Sequence, residues 1–289
     1  MKIKLGISLI SGLVGLFLFM PSGDAFSQAY HSDHVKQLWA SDQAFKVPES
    51  VFYDAENEVL YVSNINGKPT DKDGNGFLSK MSINGKIERL EWITGLNAPK
   101  GMNMKDGKLY VADIDRVAEI DVQKGSLIRF FEAENAEFLN DITIDDKGVI
   151  YVSDMSTGAV YRIKDGMISE WFPSGTFKSP NGMNFMDGKV YLGTKGAIIA
   201  IDPETKAQET TATFEGSVDG LEIDMQGRFV FSDWNGLVRR TEPGGEPEVL
   251  FNTTDKKIQA ADIHLMREEH VLLVPTFYDN RVVAYKMLD

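Results

Sequence analysis

Hydrophobic and polar residues alternate with a period of two along much of the chain. Examples are "KLYVAD" at 108–113, "VIYVSD" at 149–154 and "RFVFSD" at 228–233. Such alternation is typical of β-strands that bury one face. Glycine-containing turns separate the paired runs, and glycine supplies the positive φ that tight hairpins require. These turns end at Gly107, Gly148, Gly188 and Gly227. No helix-length segment with a 3.6-residue period follows residue 29, so the pattern predicts an all-β protein.

One unit of this pattern recurs six times. It begins with a small polar segment, continues through two apolar runs joined by a turn, and is clearest in "LNDITIDDKGVIYVSD" at 139–154. The equivalent opening positions are Glu49, Lys100, Asn140, Asn181, Asp219 and Ala261. Their intervals are 51, 40, 41, 38 and 42 residues, and a four-stranded propeller blade takes ~40–45 residues. The repeat therefore predicts a six-bladed β-propeller with four-stranded antiparallel blades over residues 30–289.

Two segments fall outside the repeated unit. "VKQLWA" at 35–40 is strand-like and is predicted to join the last blade beside "RVVAYKML" at 281–288, which would close the ring. "DKDGNGFLSK" at 71–80 has part of a calcium-loop pattern. However, it lies between strand-like runs rather than helices, and Ser82 stands where such a loop needs a glutamate. We interpret it as a hairpin loop of blade one, with a lid over the channel mouth as the functional alternative.

The first 29 residues have the order of a secretory signal. Two lysines precede an apolar run from Leu5 to Phe19, and small residues then allow cleavage after Ala25 or Ala29. An uncleaved anchor is the alternative, but the run of ~15 residues is shorter than the ~20 that a spanning helix needs. We expect residues 1–29 to be a signal peptide. Export to a bacterial periplasm, without stable membrane insertion after cleavage, follows from that prediction.

Net charge and cysteine content exclude several partners and several kinds of site. The formal net charge is -13, which disfavours nucleic acid as a partner. The chain has no cysteine, so disulfides, thiolate catalysis and cysteine-ligated zinc are excluded.

The polar positions that open the repeats predict a common site. In a propeller, equivalent positions of the blades form one ring around the axis. Glu49, Asn140, Asn181 and Asp219 would there offer carboxylate and amide oxygens, which hard divalent cations prefer. The alternative is that these residues only cap turns, as Asn and Asp often do. Glu49 fits that alternative poorly, because glutamate is not a favoured turn residue.

Four segments resemble blade-start motifs of the gluconolactonase, regucalcin (SMP-30) and luciferin-regenerating enzyme family. They are "PESVFYD", "FLNDITIDDKG", "SPNGMNF" and "VDGLEIDMQG", spread over most of the predicted propeller. The resemblance implies a six-bladed propeller with one axial divalent cation, calcium first, with zinc or manganese as alternatives. It implies that Glu49, Asn181 and Asp219 are the metal ligands, that Asn140 contacts the substrate, and that Asp219 is also the general base.

The activity implied by the resemblance is hydrolysis of a lactone by metal-activated water. Lys100 is predicted to bind an anionic substrate, or else to be an ordinary surface lysine. Phe138 stands where sugar lactonases of the family carry an arginine, so the expected metal site is intact while the sugar site is not. Asp141 and Asp262 align with glycines of other repeats and are either supporting acids or turn residues. The alternative function is a non-catalytic, calcium-stabilised propeller that binds a small ligand or a protein. Phe138 and Trp234, in "SDWNG", are predicted near the channel mouth, where they could contact a substrate or another ligand.

Overall fold

The computed structural model describes residues 32–288 and confirms the predicted six-bladed β-propeller. The predicted signal peptide, 1–29, lies outside the described residues. Within 32–288 there are 24 strands, no α-helix and two three-residue 3₁₀ helices, Thr254–Lys256 and Phe277–Asp279. None of the helices in this range could cross a membrane.

Each blade is a four-stranded antiparallel sheet, and the first five contain strands that are consecutive in the chain. Blade one holds β2 (Pro48–Asp54), β3 (Val59–Asn64), β4 (Gly76–Ser82) and β5 (Ile87–Leu96). Blade two holds β6 (Pro99–Lys105), β7 (Lys108–Asp113), β8 (Arg116–Asp121) and β9 (Ser126–Glu132). Blade three holds β10 (Leu139–Ile144), β11 (Ile150–Asp154), β12 (Val160–Lys164) and β13 (Met167–Phe172). Blade four holds β14 (Met183–Met186), β15 (Lys189–Thr194), β16 (Ala197–Ile201) and β17 (Gln208–Thr213). Blade five holds β18 (Leu221–Ile223), β19 (Phe229–Asp233), β20 (Leu237–Thr241) and β21 (Glu248–Asn252).

Blade six joins the two ends of the described chain. Its sheet order is β1 (Val35–Ala40), β24 (Val282–Met287), β23 (Val271–Pro275) and β22 (His264–Met266). β1 runs antiparallel to β24, with Val35 opposite Met287 and Ala40 opposite Val283. The predicted closing strand is thus confirmed, and it covers an edge of blade six that would otherwise be unpaired.

The hydrophobic core lies between the blades. Six buried clusters fill the six interfaces between neighbouring sheets. In the interface between blades one and two, for example, Leu78 packs in the same cluster as Leu109 and Val111. The alternating residues of each sheet face its two neighbours, so both faces of a blade are apolar and the ring is held by its side-to-side packing.

Closure of the ring gives a stability prediction. Val35 of β1 is 0% exposed and packs in the cluster between blades five and six, whereas Leu38 of the same strand is 48% exposed. Val35→Asp would place a carboxylate among apolar side chains, so we expect it to lower the free energy of unfolding by roughly 3 kcal/mol or more. Leu38→Asp is the matched control, with an expected change within about 0.5 kcal/mol. Urea denaturation measures both, and equal effects would contradict the role of β1 in closure.

A glycine follows the ring position in three blades because neighbouring first strands come very close. A Cβ on Gly182 would lie 2.5 Å from the carbonyl oxygen of Asp219, and one on Gly220 would lie 2.3 Å from the backbone nitrogen of Ile263. Both distances are too short for real contacts. The Asn-Gly and Asp-Gly pairs at these positions are therefore required by blade packing, and they are not hairpin turns.

Candidate functional site

The ring positions meet at one end of the propeller axis. Glu49, Lys100 and Asn140 are each the second residue of the first strand of their blade. Asn181 and Asp219 precede β14 and β18 and are fixed by their backbone N–H groups, which donate to Gly193 (2.9 Å) and Ser232 (2.8 Å). All five side chains line one cavity of about 330 Å³, which we call the upper cavity, and Phe138 lines it too. Ala261, the sixth ring residue, offers no polar side chain.

Four oxygens in the upper cavity have no hydrogen-bond partner among the described residues. They are Glu49 Oε2, Asn140 Oδ1, Asn181 Oδ1 and Asp219 Oδ2, and all are buried. The amide nitrogen of Asn181, in contrast, donates to Asp219 Oδ1 at 2.7 Å. Buried oxygens without a donor are unfavourable and rare in folded proteins. A hard cation would satisfy all four, so the donor set fits a divalent ion such as Ca²⁺.

The amide oxygens are essential to such a site. Within residues 32–288, no three carboxylate or imidazole side chains come together as a metal-binding group. Glu49 and Asp219 supply the two carboxylates of the ring, and Asn140 and Asn181 complete it. This composition suits calcium better than metals that prefer imidazole ligands.

Burial disfavours the charged forms of both ring carboxylates. It raises the pKa of Glu49 well above its ordinary value, and the nearby charge of Asp219 adds to the effect. Burial also raises the pKa of Asp219 to about 7, while the hydrogen bond from Asn181 opposes the shift. A divalent cation between two such carboxylates would favour their ionised forms.

Lys100 is not a surface lysine, because it is only 1% exposed. Its Nζ donates to the carbonyl oxygen of Ala98 at 2.8 Å and lies 4.5 Å from the centroid of the Phe138 ring. Burial lowers its pKa to about 8, and the charges of Glu49 and Asp113 partly oppose that shift. The Lys100 ammonium group therefore lies beneath the Phe138 side chain and close to the Glu49 carboxylate.

The walls of the upper cavity include residues that the repeat alone did not reveal. Met155, Phe277 and Tyr278 line it together with Trp234, which the sequence had placed near the mouth. All four lie in the loop between the second and third strands of their blades. Apolar residues in those loops are the signal that could have identified these walls, because every such loop lies on the face that carries the ring.

The loop between β3 and β4 contains the sequence that resembles a calcium site. It connects two antiparallel strands, which confirms the hairpin interpretation. Asp73 accepts hydrogen bonds within the loop from the Asn75 backbone (3.1 Å) and side chain (2.6 Å). Pro69 lines the upper cavity, and Lys72 forms an ion pair with Asp115 of blade two. The loop thus overhangs the ring, and its action as a lid stays a prediction.

Asp141 and Asp262 face a second cavity, of about 490 Å³, further along the same first strands. Asp141 accepts hydrogen bonds from the backbone N–H groups of Met183 (2.5 Å) and Ile142 (2.7 Å). Asp262 accepts one from the Ser50 hydroxyl at 2.5 Å. The Met183 and Ser50 contacts join neighbouring blades, so the two aspartates lie in the blade interfaces beneath the ring and are not turn residues.

The sequence profile of the SMP-30/gluconolactonase/LRE-like family matches residues 47–251. This range covers more than two thirds of the chain and includes every ring position from Glu49 to Asp219. The chain belongs to the SMP-30/gluconolactonase/LRE-like family. No curated protein sequence matches the chain.

Solved structures support the same fold for this family member. A structural-genomics target described as a candidate gluconolactonase has 16% identity and a TM-score of 0.65, over 90% of this chain and 94% of its own. A streptogramin B lyase has 10% identity and a TM-score of 0.63, over 88% and 98%. A catalytically inactive variant of virginiamycin B lyase from Staphylococcus aureus, with quinupristin, has 14% identity and a TM-score of 0.61, over 88% and 99%. At these identities the likeness is one of fold alone.

Proposed function

We propose that this member of the SMP-30/gluconolactonase/LRE-like family is an exported, divalent-metal-dependent hydrolase that opens a lactone ring. The observation that carries the proposal is the convergence of four unpaired, buried oxygens in the upper cavity. Glu49, Asn181 and Asp219 would hold the cation, with calcium as the preferred ion. A bound cation would polarise the lactone carbonyl, stabilise the developing oxyanion and lower the pKa of water.

Asp219 is the proposed general base. Its Oδ1 is held by the Asn181 amide at 2.7 Å, which orients the carboxylate, while Oδ2 is free on the cavity side. Oδ2 has two lone pairs, so it could contact the cation with one and accept a proton with the other from a water that attacks the lactone carbonyl carbon. Burial raises the pKa of this carboxyl to about 7, and a bound cation would favour its ionised, basic form.

Asn140 and Lys100 are the proposed substrate contacts at the floor of the cavity. The Asn140 amide nitrogen donates to the Met155 sulfur at 4.0 Å, and a sulfur is a weak acceptor that a substrate oxygen could replace. Lys100 adds positive charge next to Glu49. That charge would stabilise the product carboxylate that forms when the lactone ring opens. Phe138 covers the Lys100 ammonium and forms part of the wall.

Metal content and turnover test the proposal together. Protein that begins at residue 30 is expected to hold about one divalent ion per chain by elemental analysis, and to hydrolyse some members of a lactone panel. Chelation should abolish hydrolysis, and added Ca²⁺ should restore it. Hydrolysis that is unchanged in chelator, or purified protein that binds no Ca²⁺ by calorimetry, would contradict the metal-dependent function.

Export is proposed on the N-terminal sequence. The charged, apolar and small-residue order of residues 1–29 supports it. When the full chain is expressed in a Gram-negative host, the periplasmic fraction should contain protein whose N-terminus follows Ala25 or Ala29. Full-length protein retained with the membranes would favour the uncleaved anchor instead.

A further inference from the structure

We infer that the substrate of the upper cavity is an apolar lactone with an alkyl or aryl side chain, and not a polyhydroxylated sugar lactone. This inference rests on the proposed function, since it names the substrate class of the same site. It follows from the walls above the ring, which the metal chemistry does not require.

Three aromatic side chains form one side of the mouth. The ring centroids of Trp234 and Phe277 are 5.3 Å apart, with an angle of 80° between the ring planes. Those of Trp234 and Tyr278 are 6.0 Å apart, with an angle of 86°. The ring centroids of Phe277 and Tyr278 are 4.8 Å apart, with an angle of 84° between the planes. Edge-to-face packing of this kind fixes the rings relative to one another. Trp234 and Tyr278 nevertheless remain 37% and 60% exposed, so an apolar surface is held open at the entrance.

The remaining walls are also apolar. Ile65, Pro69, Phe138, Met155 and Val218 line them. Above the ring, Ser179 and Ser217 are the only polar lining residues outside the aromatic mouth in the described part of the chain. Among residues 32–288, no arginine, glutamine or further asparagine lines the cavity, although such side chains could bind several hydroxyl groups at once.

This distribution separates the two substrate classes. The hydroxyls of a sugar lactone would lose water and find few partners, which is unfavourable. An alkyl or aryl side chain would instead cover apolar wall, which is favourable in proportion to the area removed from water. The volume of about 330 Å³ is at the lower end of the range for small-molecule sites, so the ligand is a compact lactone and not an extended polymer.

A panel of six-membered lactones provides the test, because the reacting ring stays constant. The panel holds δ-lactones with no side chain, a propyl chain or a pentyl chain, together with glucono-1,5-lactone. Each buried methylene should raise kcat/KM by about fourfold until the cavity is full. We expect the pentyl lactone to exceed both glucono-1,5-lactone and the unsubstituted ring by at least tenfold in kcat/KM, with most of the gain in KM.

Substitutions in the aromatic mouth test whether its side chains cause the preference for the pentyl lactone. Trp234→Ala and Tyr278→Ala should each reduce the preference for the pentyl over the unsubstituted lactone by about fivefold or more. Met225→Ala removes another exposed apolar side chain, 62% exposed, which lies in the turn between β18 and β19 and does not line the cavity, and it should leave that preference unchanged. Thermal denaturation shows whether each variant is folded.

A second measurement separates the substrate class from the reaction. The pentyl-substituted lactam of the same ring size resists hydrolysis, and calorimetry in the presence of Ca²⁺ should show that it binds at least tenfold more tightly than the unsubstituted lactam. If that lactam binds and no lactone is turned over, the proposed hydrolysis is wrong while the apolar ligand class stands. If glucono-1,5-lactone is hydrolysed as well as the pentyl lactone, the hydrolysis stands and the apolar class is wrong. Absence of both turnover and lactam binding overturns both.

Discussion

Asp219→Asn is expected to reduce kcat for lactone hydrolysis by about 10²–10⁴, even at Ca²⁺ concentrations that saturate the variant. An amide cannot take a proton from water, and general-base catalysis typically contributes a factor of that size. The loss corresponds to about 3–5 kcal/mol in the activation barrier. Asparagine has nearly the same shape as aspartate, and its Oδ1 can still accept the hydrogen bond from Asn181. Because the substitution also removes a ligand charge, calcium binding should weaken, and the kinetics need Ca²⁺ well above the Kd of the variant. Steady-state kinetics at saturating Ca²⁺ measure the effect.

Asp262→Asn is the matched control for this substitution. Asp262 is also a buried aspartate near the axis, but it lines the second cavity and accepts its hydrogen bond from Ser50. An amide oxygen can accept that bond equally well. We expect turnover within about threefold of the unsubstituted protein, a change of less than ~0.7 kcal/mol. If Asp219→Asn were as active as Asp262→Asn, Asp219 would not be the base.

The same substitution distinguishes the two function classes that the sequence left open. Loss of turnover with retained lactam binding supports a hydrolase, because only a reaction needs a proton acceptor at this position. If the unsubstituted protein hydrolyses no lactone with Ca²⁺ present but binds ligand, the non-catalytic propeller is the better account. Fold cannot decide between them, since one fold hosts many functions.

Glu49→Gln is expected to weaken calcium binding by at least about 100-fold. The substitution removes one of the two carboxylates in the ring and leaves the amides of Asn140 and Asn181 in place. Affinity for Ca²⁺ depends strongly on the number of charged ligands, and changes outside the ligand shell alone commonly cost 10–100-fold in metal affinity. Titration calorimetry with Ca²⁺ measures the change directly. Calcium affinity equal to that of the unsubstituted protein would remove Glu49 from the site.

Two controls show that such a loss is specific. In chelator, Glu49→Gln should melt at the same temperature as the unsubstituted protein or higher, because an uncharged amide is easier to bury than a carboxylate. Glu222→Gln removes a buried glutamate charge at the second cavity, where Glu222 contacts His264 (3.1 Å) and Asn184 (3.1 Å). Its calcium affinity should change by less than about threefold. Equal losses in both variants would mean that overall charge, and not a ligand at position 49, controls the affinity.

The architecture could be predicted from local sequence because each blade repeats the same pattern of alternating residues and glycine turns. Alternation fixes which face of a strand is buried, and glycine fixes where the chain reverses. β11 of blade three, for example, follows directly from "IYVSD" after the turn at Gly148. The interval of about 42 residues then fixes the number of blades, and the ring register follows because equivalent residues of a closed repeat face one axis.

The walls of the site could not be predicted in the same way. Phe277 and Tyr278 belong to a short loop of blade six, Phe138 directly precedes blade three, and Met155 lies in the loop between β11 and β12. Nothing in their local sequence indicates that they face each other, because loop conformation depends on contacts made by distant parts of the chain. The local sequence around Lys100 is likewise compatible with an ordinary surface lysine. Only the tertiary structure shows that this side chain is buried, with Phe138 packed over its ammonium group.

The sequence by itself therefore determined the six-bladed fold, the closing strand and the polar ring, since these depend on periodicity and on the identity of repeated positions. The tertiary structure alone decided which oxygens lack partners and which aromatic rings surround them. The physical reason is that pairing, burial and cavity shape belong to groups that are distant in the chain and meet only when the ring of blades closes.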